Sequence, residues 1–193
     1  MTERVPAGGE SASAEDLALV ARQLGRPPRG VAGVAHRCGC GLPDVVSTRP
    51  RLPDGTPFPT TYYLTCPRAA SRVGTLEASG VMREMAERLA QDRELAEGHR
   101  RAHEDYLARR EALGRELGED VPEIAGVSAG GMPTRVKCLH VLVAHSLAAG
   151  PGVNPLGDEA LAALPQWWAA GSCVPEPVES APVVDEDQAG TTS

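Results

Sequence analysis

Cysteine and histidine side chains are the residues of this chain best suited to chemistry, and most of them flank one predicted hairpin or lie on one predicted helix. Thiolates and imidazoles are preferred ligands of zinc, and thiolates also hold iron–sulfur clusters. No two cysteines have the C-x-x-C spacing, and Cys38-Gly39-Cys40 is tighter than the usual zinc knuckle. We nevertheless expect thiols and an imidazole to converge on one zinc or iron–sulfur site. The predicted metal ligands are Cys40, Cys66, Cys138 and His145.

Helix geometry limits which of these side chains share a site. On a helix predicted for residues 132–149, Cys138 and His145 are seven positions apart and lie on one face, whereas Cys138 and His140 point about 200° apart. Cys66 precedes a proline at a predicted helix start, where free N–H groups and the helix dipole favour a thiolate. Cys173, beside the C-terminal tail, is left out of the predicted site. For each cysteine, burial as an ordinary small core residue is the alternative.

The segment 130–140 indicates a second chemistry that needs no metal. It contains a glycine pair ahead of the predicted helix and the only lysine, Lys137, of a chain with eighteen arginines. Backbone N–H groups and a helix N-terminus can hold a phosphate or a carboxylate. The spacing is not that of a P-loop, and an ordinary glycine turn with exposed arginines is the alternative. The predicted anion ligands are Arg135, Lys137, Arg49 and Arg51.

A long helix predicted for residues 81–117, weakened near Gly98 and Gly114, has one face that is apolar at both ends and polar in the middle. Burying polar groups is costly unless they are paired or bind something. A solvent-facing stripe is the alternative. If the chain is a small enzyme acting on an anionic or phosphorylated substrate, some of these groups are candidates for general acid or base. The polar members of the face are Asp92, His99, His103, Tyr106 and Arg110, and the catalytic candidates are His103, His145 and Tyr106.

Composition restricts the function classes. The formal net charge is −7, and residues 174–193 hold five acids and no base, so a general nucleic-acid binder is not expected. No apolar run reaches the roughly 18 to 20 residues of a membrane span, and a signal-peptide pattern is absent, so we expect a cytoplasmic, non-membrane protein with reduced cysteines. The acidic tail and the pair Trp167-Trp168 indicate a third class, a regulatory interaction protein. The expected partner is therefore a small anion or a protein.

The elements that must position these residues are mainly helices. We predict a mainly α protein with a small β hairpin (α+β), built as a single compact domain over residues 13–172. A disordered N-terminus (1–12) and a disordered acidic tail (173–193) are expected to flank it. The predicted helices span 13–25, 66–79, 81–117, 132–149 and 158–164, and the β segments are 45–48 and 61–65, with 31–35 as a third strand.

Several short motifs occur together between residues 15 and 165. They are Cys40-Gly41-Leu42-Pro43, the stretch 52–60, Leu64-Thr65-Cys66-Pro67, Ala102-His103 with Tyr106 and Arg110, the stretch 135–140, and Asn154-Pro155-Leu156-Gly157-Asp158. This set resembles the actinobacterial domain-of-unknown-function family 501 (DUF501). The resemblance implies no activity, cofactor or catalytic residue. Members are often encoded near an exopolyphosphatase-like protein, a septum-formation initiator and enolase, which implies a link to phosphate metabolism or cell division.

Overall fold

The computed structural model describes residues 7–174 and has the predicted α+β class. The predicted tail beyond residue 174 and the first six residues lie outside the described part of the chain. The helices are α1 (Ala14–Leu24), α2 (Pro67–Ala78), α3 (Val81–Gln91), α4 (Arg93–Leu117), α5 (Leu139–Ala149) and α6 (Pro155–Ala163), with a 3-10 turn at Pro122–Ile124. The strands are β1 (Val31–Arg37), β2 (Pro43–Thr48) and β3 (Tyr62–Leu64).

The three strands form one antiparallel sheet in the order β1-β2-β3, which confirms the predicted hairpin and its third strand. Val34 pairs with Val46, and Val45 pairs with Leu64. Every residue of the central strand β2 is buried. Ahead of α1, Glu10 also forms a bridge with Val34, so the described part of the N-terminus packs along β1.

The helix α5 is the centre of the core, as its apolar faces predict. It packs against β3, α2 and α6, and most of its side chains are buried. It begins at Leu139 rather than at residue 132. The preceding residues instead form a tight loop in which the Lys137 N–H donates to Gly130 O at 2.8 Å and the Arg135 N–H to Gly131 O at 2.9 Å.

The prediction of a single long helix over residues 81–117 was wrong in one respect, because the structure has two helices there, α3 and α4. The helix is interrupted at Asp92, which has extended backbone angles (φ −102°, ψ 108°). The Asp92 carboxylate accepts hydrogen bonds from the N–H groups of Glu94 and Leu95 at the start of α4. Such a side-chain cap stabilises a new helix start. Gly98 and Gly114, the predicted weak points, lie inside α4 and allow close approach of Pro155 and of the Glu119 carbonyl.

Candidate metal centre

Three thiols from distant parts of the chain meet at one end of the sheet. Cys38 and Cys40 lie in the turn between β1 and β2, and Cys173 follows α6. The Cys173 sulfur is 3.6 Å from that of Cys38 and 3.4 Å from that of Cys40. All three sulfurs lie within 4.8 Å of one another, and none is in a disulfide. Together with Cys66, whose thiol interacts electrostatically with that of Cys173, they make up what we call the thiol cluster.

Local backbone structure positions each of these thiols. In the β1–β2 turn, the Cys38 N–H donates to Leu42 O at 2.9 Å and the Gly41 N–H donates to Cys38 O at 2.8 Å. Gly41 has φ 85°, a left-handed conformation that glycine adopts without strain. Cys66 is the N-cap of α2, and its sulfur accepts the Ala69 N–H at 3.5 Å. Backbone hydrogen bonds within the turn and at the helix start therefore fix where Cys38 and Cys66 lie.

The segment that carries Cys173 is fastened to the turn by tryptophan packing. A Cβ at Gly39 would lie 2.6 Å from Trp168 Nε1, so the indole lies directly on the glycine. Trp167 is buried, and its ring meets that of Trp168 edge to face at 4.7 Å. The paired tryptophans, which the sequence associated with a partner surface, thus pack inside the described structure beside the thiol cluster.

Burial and backbone N–H groups act in opposite directions on these thiols. Burial raises the pKa of Cys38 and of Cys173 above the ordinary thiol value. Burial also acts on Cys40, but the backbone N–H groups of Leu42 and Cys173 and the neighbouring thiols lower its pKa below the ordinary value. N–H donors aimed at sulfur favour the thiolate, which is the form that binds metals.

The structure brings only part of the predicted metal site together. Cys40 and Cys66 belong to the thiol cluster, but Cys138 and His145 lie elsewhere. His145 is fully buried, where its Nε2–H donates to Asp105 at 2.9 Å and its Nδ1 accepts the Asn154 side-chain N–H at 3.2 Å. Both ring nitrogens of His145 are thus occupied by partners within the protein.

Cys138 lies in a second group, with Glu77 and His140, whose potential ligand atoms are also within 4.8 Å of one another. The expectation that Cys138 and His140 point apart was therefore wrong. It assumed that Cys138 is helical, but Cys138 is the N-cap of α5 with extended backbone angles (φ −156°, ψ 113°), so the spacing of 100° per residue does not apply. The Cys138 thiol, and after it the Glu77 carboxylate, raises the pKa of His140 to about 9 against the opposing effect of burial.

Two of the catalytic candidates, Tyr106 and His145, pack inside the core with their rings 5.1 Å apart. The Tyr106 hydroxyl accepts the Thr61 N–H at 2.6 Å, and burial raises its pKa. The third candidate, His103, donates from Nδ1 to the Ser128 hydroxyl at 2.8 Å, and burial lowers its pKa. Of the predicted polar face, His99, Tyr106 and Arg110 are buried, His103 is half-buried, and Asp92, just before α4, is exposed.

The predicted anion ligands do not form one cradle. Arg49 pairs with Glu119, and Arg51 pairs with Glu123 at 2.9 Å, at the far end of α4. Arg135 and Lys137 are exposed on the loop before α5. The first N–H of that helix, on Leu139, already donates to Glu77 at 2.6 Å. The Glu77 carboxylate thus occupies the N-terminus of α5, where the sequence predicted a bound anion.

Sequence reasoning missed two members of the thiol cluster, Cys38 and Cys173. Cys38 was considered as part of a Cys-x-Cys pair but not selected, and Cys173 was assigned to the tail. The useful signal was the adjacent Trp167-Trp168 pair, since two large aromatic residues rarely remain in an unpacked tail. Their packing carries Cys173 to the turn that holds Cys38 and Cys40.

A model of a protein family described as "Protein of unknown function (DUF501)" matches residues 34–162, about two thirds of the chain. The matched stretch contains Cys38, Cys40, Cys66 and the whole Glu77–Cys138–His140 group, and it ends before Cys173. No curated protein and no solved structure matches the chain. Within residues 7–174, no helix is both long enough and apolar enough to cross a membrane.

Proposed function

We propose that this chain, which belongs to the DUF501 family of proteins of unknown function, binds one zinc ion through Cys38, Cys40, Cys66 and Cys173. In this proposal the ion fastens the segment after α6 to the β1–β2 turn. The observation that carries it is the approach of the Cys173 sulfur to those of Cys38 and Cys40, 135 and 133 positions away, at 3.6 and 3.4 Å. Four thiolates around one ion form a closed, structural type of zinc site.

The sulfur spacing favours a single ion over a cluster. With Zn–S bonds of about 2.3 Å, neighbouring sulfurs of a tetrahedral site lie about 3.8 Å apart. The separations of 3.4 and 3.6 Å around Cys173 are close to this value. In a [4Fe–4S] cluster each cysteine binds a different iron atom, and in a [2Fe–2S] cluster only two cysteines share one iron, so three mutually close sulfurs fit a single ion better than either cluster. Cys66 lies beside Cys173 but outside the set of three mutually close sulfurs, so the proposal requires it to move inward when the ion binds.

The proposed role is structural, with a consequence for partners. Val174 lies next to the centre, and the sequence that follows it contains five acidic residues and no basic one. An ion at Cys173 would fix the point from which this acidic segment leaves the domain. We propose that the segment is thereby presented to a partner with a basic surface, in line with the interaction class indicated by the sequence.

X-ray absorption on the Cys138→Ser variant tests the zinc centre, because that variant keeps the whole thiol cluster and removes the only cysteine outside it. We expect one zinc ion with four sulfur neighbours at about 2.3 Å. A first shell with nitrogen or oxygen ligands, or a nearby second metal, would contradict the four-thiolate proposal. Protein purified under reducing conditions is required, since oxidised thiols do not bind zinc.

A further inference from the structure

The Glu77–Cys138–His140 group differs from the thiol cluster in its donor atoms and in its exposure. His140 Nδ1 lies 3.2 Å from Glu77 Oε1, and the Cys138 sulfur lies within 4.8 Å of both potential ligand atoms. With metal–ligand bonds of about 2.0 to 2.1 Å, a nitrogen and an oxygen on one tetrahedral zinc ion stand about 3.3 Å apart. The separation of 3.2 Å is compatible with a shared ion as well as with the direct ion pair of the two side chains.

Neighbouring groups hold two of these side chains in an orientation suited to metal binding. The His140 Nε2–H donates to Ala70 O at 3.1 Å, which turns Nδ1 toward Glu77 and Cys138. Glu77 Oε1 accepts the Leu139 N–H at 2.6 Å. Ligating histidines characteristically donate their second ring N–H to a carbonyl or carboxylate, and ligating carboxylates are themselves hydrogen-bonded. The supporting contacts of a metal site are therefore built into α2 and α5.

One side of the group opens into a groove of about 500 Å³. Cys138 and His140 line it together with apolar and hydroxyl-bearing side chains, and a neighbouring groove of about 680 Å³ shares Leu24 and Tyr63 with it. The Glu77 and His140 side chains are 21% and 33% exposed, so solvent reaches part of each side chain. In the thiol cluster, by contrast, three of the four cysteines are buried and Cys40 is half-buried.

We propose that Glu77, Cys138 and His140 bind a second zinc-class divalent ion, whose fourth coordination position faces the groove. Three protein ligands and one open position are the arrangement of catalytic rather than structural zinc. An ion held there polarises a carbonyl oxygen or activates a bound water. The groove suits a substrate with an apolar body whose carbonyl or ester group points at the ion.

Alkylation of the wild-type protein by iodoacetamide in excess Zn²⁺, resolved by peptide mass spectrometry, tests this second site separately from the thiol cluster. We expect Cys138 to be protected in wild type and in the matched control Glu84→Gln, which changes an exposed glutamate on α3. In Glu77→Gln we expect Cys138 to react at least about 10-fold faster, because supporting groups alone change metal affinity by 10- to 100-fold. The four cysteines of the thiol cluster should stay protected in all three proteins.

Equilibrium titration with Co²⁺ provides the stoichiometry. Wild type should bind one ion more per chain than Cys138→Ser, and His140→Gln should bind that extra ion at least about 100-fold more weakly. Equal stoichiometry in wild type and Cys138→Ser, with Cys138 alkylated in excess Zn²⁺ as fast as an unprotected thiol, would overturn the second site. If the thiol cluster fails to bind an ion but Cys138 is protected, the four-thiolate zinc proposal fails and the second site stands.

Discussion

The thiol cluster and the Glu77–Cys138–His140 group use related ligand atoms in opposite surroundings. The thiol cluster joins elements at both ends of the sequence, is largely buried, and receives backbone N–H groups at its sulfurs. The Glu77–Cys138–His140 group joins two packed helices, has three different donor atoms, and faces a groove. The two groups thus differ in exposure and supporting contacts rather than in the presence of cysteine, and on these differences we propose a structural role for the first and a chemical role for the second.

The largest effect that we expect is on stability, from Cys173→Ser compared with Cys138→Ser. Both replace one sulfur by oxygen, but only the first removes a ligand of the proposed closed site. Since binding energy at a structural zinc site is folding energy, Cys173→Ser should lower the free energy of unfolding by more than about 3 kcal/mol. Cys138→Ser should change it by less than about 1 kcal/mol. Chemical denaturation with one equivalent of zinc per chain, which fills the four-thiolate site before the more open second site, measures both, and equal losses would remove the distinction between the two regions.

A second variant, His145→Leu, tests whether the core imidazole belongs to either centre. It leaves Asp105 and Asn154 without their buried partner, which costs about 1 to 3 kcal/mol of stability. Because both of its ring nitrogens are already paired, we expect the zinc content to be unchanged. If His145→Leu remains folded but loses zinc, His145 is a zinc ligand, as the sequence predicted.

The contact between Gly39 and Trp168 provides a smaller change next to the thiol cluster. Gly39→Ala places a methyl group 2.6 Å from the indole nitrogen and should cost about 1 to 2 kcal/mol, with a higher rate of zinc release. The matched control is Gly74→Ala, whose Cβ meets nothing within 4 Å and which should be neutral or stabilising by up to about 1 kcal/mol. If Gly39→Ala releases zinc at the wild-type rate, the tryptophan packing does not support the centre.

The smallest effect is a pH dependence that arises outside both regions. Burial lowers the pKa of His99 below 6.5, so its neutral form is favoured in the folded protein. His99 therefore contributes to the free energy of unfolding at pH values above its pKa in the unfolded chain. That contribution is lost as the pH falls through its lower pKa in the folded protein. Between about pH 7.5 and 6, His99→Gln should lose less stability than wild type, by under about 1 kcal/mol. Measuring the zinc content of the same samples separates the titration of His99 from protonation of the thiolates. If wild type and His99→Gln lose equal stability between these pH values, His99 is not the source of the pH dependence.

Local signals in the sequence predicted most of the fold. Ser13 and Asp16 form the predicted capping box of α1, and Cys66-Pro67 begins α2 as expected. His99, Tyr106 and Arg110 share one face of α4, as their spacing predicts, and the burial of that face decides against the solvent-facing stripe that the sequence left open for them. These features depend on residues within a few positions of one another, where sequence patterns carry most information.

The candidate sites were only partly predictable because their members are far apart in sequence. Cys38 and Cys173 are 135 residues apart, and no periodic pattern connects them. Glu77 had no sequence signal at all, since its role depends on how α2 packs against α5. The rule of 100° per residue failed at Cys138 because it was applied one residue before the helix begins. Tertiary contacts, not local propensities, determine both sites.

The metal content of Cys138→Ser tests the zinc centre most directly, with the protein purified under reducing conditions without added metal and analysed by elemental mass spectrometry. We expect one zinc ion per chain, which is lost when Cys173→Ser is added to the same protein. Folded Cys138→Ser protein that contains no metal, and whose four remaining cysteines all react with a thiol reagent, would contradict the zinc centre.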